Sequence, residues 1–368
     1  MKVLMLVNWK VEHGVERPSD RQPPDYYIKG EMYWFYRYFK QSVEVDVIDI
    51  SSFPWLERFE KEKLRFYVVQ ALRAIPKLWH YDLVVSHGMQ SAVVLSLFRR
   101  LFPMKTKHVV FEIGSFNSAT ESGAALKLMQ FASKSIDGFI YHTSGQKEYY
   151  KRFFPWIVGK SRFIPFGTDA DFFSGTENED VQKSVVCESR RTIICVGYAK
   201  RDWDTLYQAF CGLQKDERIE AEERECLRLK LIGNPSFQYE NDKVEVMPYI
   251  PIKRLIEEIE NAHFCVVPLK ELNYSFGQMT LLQQMALGKA VIASKVSSLK
   301  DYIKDRETAL FYEPESAEEL EDRMKELLLN AVLRDTLGRN ARISVKDRFN
   351  EERMAEDIEE YFHMLCKS

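Results

Sequence analysis

Short apolar, β-branched runs recur along this chain, each followed by a small or polar turn and then by a stretch with helical spacing. In the first half the runs are Lys2–Val7, Val43–Ile50, Leu83–Ser86, His108–Phe111, Ile136–Tyr141 and Ser161–Ile164, separated by helical stretches such as Glu31 to about Gln41, Ser91–Leu101 and Gln146–Phe154. Apolar runs of this length suit strands buried on both faces, and strands that alternate with helices predict a doubly wound parallel α/β sheet. A second alternation starts at Thr192–Val196 and runs through Asp204–Leu213, Leu227–Ile232, Val244–Met247, Ile252–Ile259 and Phe264–Pro268. The polar, unpatterned Ser174–Arg191 between the two reads as a linker. A length of 368 residues fits two such domains. Their bounds are expected at 1–173 and 192–349, followed by a terminal helix over Asn350–Cys366. A capping box at Ser316–Glu319 opens the helical end of the chain.

The stretch Asn273–Ser294 carries the clearest functional signal. Ser275, Gly277 and Gln278 form a small polar loop, a helix follows from about Met279 to Leu287, and Gly288 ends it before a strand at Ala290–Ser294. A helix N-terminus offers unpaired N–H groups and the positive end of the macrodipole, and Gly277 lets the backbone approach an anion closely. The turn Gly197-Tyr-Ala-Lys-Arg-Asp202 also joins a strand to a helix, and it adds the cations Lys200 and Arg201. A diphosphate between this turn and Ser275–Thr280 would meet two positive side chains and a helix terminus. The bland readings are an ordinary strand–loop–helix connection and two solvated cations. Gln283 and Gln284, one turn further on, can hydrogen-bond a ribose or can simply be helical glutamines.

In the first half, His87, Glu112 and Ser144 follow strands and so lie at the carboxyl edge of the sheet, where ligands collect. His87 and Glu112 are the candidates for acid–base work, and structural hydrogen bonding is the competing role for each. The loop through Pro18, Pro23 and Pro24 to Gly30 is long enough to be a lid or binding loop, or else disordered. Phe53–Trp79 is rich in aromatic and basic residues. Packing of one face on the sheet accounts for its apolar positions, and peripheral contact with an anionic membrane is the alternative.

A balance of 52 Lys and Arg against 55 Asp and Glu, net charge −3, argues against nucleic acid as a partner. The apolar run Val3–Val7 breaks at Asn8 and Lys10, unlike a signal peptide, and a cytoplasmic location is expected, peripheral at the inner face of the membrane if the basic segment binds there. The cysteines, Cys187, Cys195, Cys211, Cys226, Cys265 and Cys366, lack paired metal-ligand spacing and read as reduced core residues.

Together these motifs resemble the large retaining family of nucleotide-sugar-dependent glycosyltransferases with the GT-B fold. Leu281-Leu-Gln-Gln-Met-Ala-Leu-Gly-Lys-Ala-Val-Ile-Ala293 is similar to that family's Leu-Leu-Glu-Ala-Met-Ala-x-Gly-x-Pro-Val-Ile-Ala, and Pro165–Phe173 to its Pro-Asn-Gly-Val-Asp-x-x-x-Phe. The resemblance implies two facing Rossmann-like domains with a cleft between them. The donor would lie on the second, the acceptor on the first, and the terminal helix would cross back to the first. With this resemblance, Gly197, Lys200, Arg201, Ser275, Gly277, Gln278, Met279, Thr280 and Gln283 are the donor-site candidates, while His87 and Glu112 are candidates for the chemistry from their strand-end positions alone. It implies hexose transfer with retention to a glycan or lipid-linked acceptor, and no metal or other cofactor. The chain departs from the pattern where the family has two glutamates, here Ser275 and Gln283. The family's phosphate-binding arginine falls near Tyr198 and its lysine at Arg201, with Lys200 as a substitute cation, and Glu112-Ile-Gly-Ser stands where the first domain usually has a histidine. Two competing functions therefore stay open: a non-catalytic scaffold or partner subunit on the same fold, and a nucleotide-sugar epimerase.

Overall fold

The computed structural model describes residues 1–18, 20–112, 118–174, 191–198, 200–235 and 239–367, so most of the expected linker lies outside the described residues. The chain divides into two compact units. One is Met1–Pro165 with Leu272–Ser275 and Glu351–Ser368, and the other is Phe166–Glu271 with Phe276–Asn350.

The first unit is built on a parallel sheet. Its strands are β1 (Lys2–Leu6), β4 (Glu44–Ile48), β5 (Leu83–His87), β6 (Lys107–Phe111), β7 (Gly138–Tyr141) and β8 (Ser161–Phe163), in the order β4-β1-β5-β6-β7-β8. The winding reverses between β1 and β5, paired with Leu4 opposite Val84. Buried clusters hold the layers together, one around Leu4, Leu6, Ile48, Leu78 and Val84, another around Val110, Met129, Phe139 and Tyr150. That burial is why the strands read as unbroken apolar runs. The helix Glu351–Lys367 completes the unit: Phe139 N–H donates to Tyr361 Oη at 2.9 Å, and the phenol donates to the Lys160 carbonyl. Glu351, buried, accepts from Trp34 Nε1 and Arg37 Nη2, each at 2.9 Å.

One local expectation is corrected here, and two segments gain detail. Instead of a helix from Glu31 to Gln41 there is one short 3-10 turn, Trp34–Tyr38, because Trp34, Phe35 and Tyr36 are all buried in succession and an α-helical face cannot bury three neighbours equally. The proline-rich loop contains a small parallel pair, β2 (Glu12–Gly14) with β3 (Tyr26–Ile28). Phe53–Trp79 is broken into Pro54–Phe59, a π-helical turn Glu60–Leu64, Val68–Ala74 and a 3-10 segment Ile75–His80. The breaks fall at Arg65, which has φ +61°, and at Pro76.

The second unit has β9 (Arg191–Val196), β10 (Leu227–Ile232), β11 (Val244–Met247), β12 (Phe264–Val267), β13 (Val291–Ser294) and β14 (Leu310–Tyr312), all parallel in the order β11-β10-β9-β12-β13-β14. Alternate residues bury into opposite layers. Ile193, Cys195, Phe264 and Val266 join one core and Ile194, Val196, Cys265 and Val267 the other. Here the winding reverses between β9 and β12. Ser316 caps the helix Ala317–Leu329 by accepting from Glu319 N–H at 3.3 Å, while the Glu319 carboxylate accepts from Glu313 N–H. Of the described cysteines, all free, Cys195 and Cys265 are buried, Cys211 and Cys226 partly so, and Cys366 is exposed, which removes the last from the core. Among the described residues no helix is long and apolar enough to cross a membrane.

Candidate active site

In a doubly wound sheet the crevice for a ligand opens at the carboxyl ends of the two strands where the winding reverses. In the second unit those are β9 and β12. The loop after β9 is pinned to the loop after β12, since Asp202 N–H donates to the Pro268 carbonyl at 2.9 Å and Arg201 bridges to Leu269. Ser294 Oγ in turn accepts from Leu269 N–H at 2.7 Å. The Arg201 side chain lies back across Gly197, where Nε donates to the Val196 carbonyl at 2.9 Å and Nη2 to Thr280 Oγ1 at 3.1 Å. A Cβ on Gly197 would collide with that guanidinium. Burial lowers the Arg201 pKa, with Cys195 opposing, but an arginine keeps its charge.

Thr280 belongs to the first turn of the helix Gln278–Ala286, so the guanidinium sits at the helix's positive end. Gly277 opens that helix at φ +85°, and a Cβ there would come within 2.6 Å of Leu269 Cδ1; a glycine is required on both grounds. Gln278 turns inward and donates from Nε2 to the Ser298 carbonyl at 2.7 Å. Met279 is exposed and Gln283 buried. Lys200, at φ +59°, is exposed, and Ala199 beside it lies outside the described residues. Ser275 is not grouped with these residues but packs in the first unit.

In the first unit the reversal lies between β1 and β5, which deliver Trp9 and His87. Their rings meet edge-on with centroids 4.7 Å apart. Phe111 pairs with His87 across β5 and β6, and this brings Glu112 to the same edge. Glu112 has φ +55°, unusual for a non-glycine residue and a mark of a backbone held by its surroundings. Burial pushes its carboxyl up to about 7, while the Ser275 hydroxyl and the His142 backbone N–H pull the other way. Thr143 Oγ1 donates to Ser275 Oγ at 3.0 Å, so Thr143, Ser275 and Glu112 form one polar chain. Burial and the neighbouring His142 lower the His87 pKa to about 3, which leaves the ring neutral at physiological pH. Each residue as a whole is half-buried, yet His87 Nδ1 and Glu112 Oε1 are sealed from solvent without a hydrogen-bond partner among the described residues.

Residues 113–117, which complete the Glu112 loop, lie outside the described residues. Ser144 is exposed. His142, directly after β7, was passed over in the sequence although it occupies the same strand-end position as His87. It is buried, its Nδ1 lies 2.7 Å from the Ile164 carbonyl, and burial lowers its pKa to about 4, a shift the Ile164 contact opposes. Gln284 is fully buried with neither amide atom partnered among the described residues. Among the described residues no group of three or more His, Cys, Asp or Glu is placed to hold a metal ion.

Two parallel doubly wound units, each with a polar constellation at its reversal, define the class as a GT-B glycosyltransferase fold. Solved structures agree along the whole chain. Sucrose-phosphate synthase from Thermosynechococcus elongatus matches 99% of both chains at a TM-score of 0.71 with 18% identity. HepE from Anabaena, determined in complex with UDP-glucose, matches 99% of this chain and 100% of its own at 0.68 with 11% identity. In sequence, an uncharacterized glycosyltransferase of Methanocaldococcus jannaschii is 25% identical over 73% of this chain and 71% of its own. Residues 177–344 match the family model described as glycosyl transferases group 1. Over that segment the chain is similar to the group 1 glycosyltransferases, and the likeness supports glycosyl transfer from a nucleotide sugar.

Proposed function

We propose that the protein moves a hexose from a nucleoside diphosphate sugar to a hydroxyl of a glycan or lipid-linked acceptor, with retention and without a metal. The observation that carries this reading is Arg201, a half-buried cation hydrogen-bonded into the first turn of the helix Gln278–Ala286. Two positive features held together repel one another until an anion joins them. A leaving nucleoside diphosphate is such an anion, and its developing charge is what the pair would stabilise. Lys200 stands exposed one residue away and can close over the same phosphates. Gly277 and Thr280 border the anion, and Gln283 is the candidate for the ribose. The Anabaena protein's complex with UDP-glucose supports a donor of this kind.

On the first unit, His87 Nδ1 and Glu112 Oε1 are the polar atoms an acceptor hydroxyl would satisfy. Retention is carried over from the family resemblance. Glu112 favours a second reading, inversion with this carboxylate as general base, because its raised pKa sits near the optimum for taking a proton at neutral pH.

The test is a thermal-shift screen with UDP, GDP, ADP and TDP sugars, with and without chelator, on the wild type and on Arg201→Lys. The expected result is stabilisation by one nucleotide family that survives chelation and is weakened in the variant, followed by a product whose anomeric configuration, read by NMR, matches the donor. Saturation at a hundredfold excess over Kd adds about 2.7 kcal/mol to stability. No shift with any donor would transfer the fold to the scaffold reading, and conversion of a donor with no acceptor present would favour the epimerase.

A further inference from the structure

The segment Pro54–Leu64 is one continuous helical stretch whose first part, Pro54–Phe59, has no buried residue although it holds Trp55, Leu56 and Phe59. Its inward side is the line Leu56, Glu57, Glu60 and Leu64. Glu60 anchors that line, since it is 1% exposed and its Oε1 accepts from Val68 N–H at 2.8 Å and Val69 N–H at 3.0 Å. The outward side presents Phe53 and Trp55, both 71% exposed, then Arg58, Phe59, Lys61 and Lys63. Charge is sorted the same way. Glu57 is held by Lys10 at 3.0 Å and Glu60 is committed to its cap, so Glu62 is the one outward acid of the stretch against three outward cations. Arg58, Lys61 and Lys63 make no ion pair among the described residues, whereas Lys2, Lys10, Lys40 and Arg162 of the same unit are each paired with a carboxylate.

We propose that this face seats the first unit on an anionic phospholipid bilayer. Two features select a bilayer over water or a protein groove. Aromatic rings spaced i and i+4 at Trp55 and Phe59 lie side by side and can enter the headgroup region together. Cations beside them meet the surface potential of acidic lipids, while an amphipathic helix lying in the interface needs no further partner. The contact is peripheral and stands independently of which donor the second unit takes. It would keep the carboxyl edge of the first unit's sheet near a lipid-borne acceptor.

The experiment uses the full chain with sucrose-loaded vesicles of phosphatidylcholine, with and without phosphatidylglycerol, in a salt series. The expected result is sedimentation with the acidic vesicles that weakens as salt rises, and little with the neutral ones. Lys61→Glu/Lys63→Glu should weaken binding about tenfold or more. Trp55→Ala/Phe59→Ala should weaken it while leaving the remainder salt-dependent. Circular dichroism and melting midpoints confirm that these exposed substitutions leave the fold intact. Failure of the wild type to bind acidic vesicles, or equal binding by all three proteins, would overturn the proposal. Light scattering that shows a dimer dispersed by Trp55→Ala/Phe59→Ala would also overturn it and assign the face to self-association.

Discussion

Gly197 determines where the Arg201 guanidinium can lie, because the side chain folds back over a residue with no Cβ. Gly197→Ala should lift the guanidinium off Thr280 and raise the donor KM about tenfold or more, equivalent to ~1.4 kcal/mol, with the acceptor KM unchanged. Initial rates at varied donor and acceptor would show it. Glu112 gives a prediction with a definite sign in pH. Its carboxyl titrates at 4.5 when unfolded and at about 7 when folded, so over that interval the folded chain holds the extra proton and stability falls as pH rises. His87 and His142 act oppositely, because their folded pKa values of about 3 and about 4 lie below 6.5, and their share of stability is lost as pH falls through that range. Glu112→Gln removes the first effect alone. It should melt with the wild type at pH 4 and above it at pH 8, by about 1–3 kcal/mol in stability. The same variant separates the two stereochemical readings, since loss of a general base lowers kcat by about 10²–10⁴ and a retaining route that uses none does not.

Secondary-structure elements were legible where one physical demand dominated. The strands of both sheets showed themselves because both of their faces are buried, and Gly277 and Gly288 bounded a helix whose place at the reversal between β9 and β12 follows from chain order. The segment around Trp34 was misread because three consecutive buried aromatics carry no helical period, and the breaks within Phe53–Trp79 had no sign in the sequence because one depends on a left-handed residue, Arg65. Ser275 was read with the donor loop, and its tie to Thr143 across the sequence has no local sign. His142 was hidden by an apolar strand that gave no hint of the ring buried after it. The terminal helix carries an element-scale prediction. Gly138 leaves no room for a methyl group beside Leu365 and Tyr361, so Gly138→Ala should loosen this helix and cost about 1–3 kcal/mol, seen as a lower melting midpoint and faster amide exchange in 351–367.

For the molecule as a whole, chain order and space do not coincide. The second unit occupies Phe166–Asn350, apart from Leu272–Ser275, and the helix Glu351–Lys367 then returns to the unit that the chain began with. That return has a consequence in time. A ribosome delivers the second unit's last strand and the helices that cover it before it delivers Tyr361 and Leu365, so the later unit can close its core first. Until those residues emerge, the amide of Phe139 lacks its phenol partner and the flat surface at Gly138 stays bare. The unit that holds Met1–Pro165 therefore cannot be sealed until residues far beyond its own sheet have been translated.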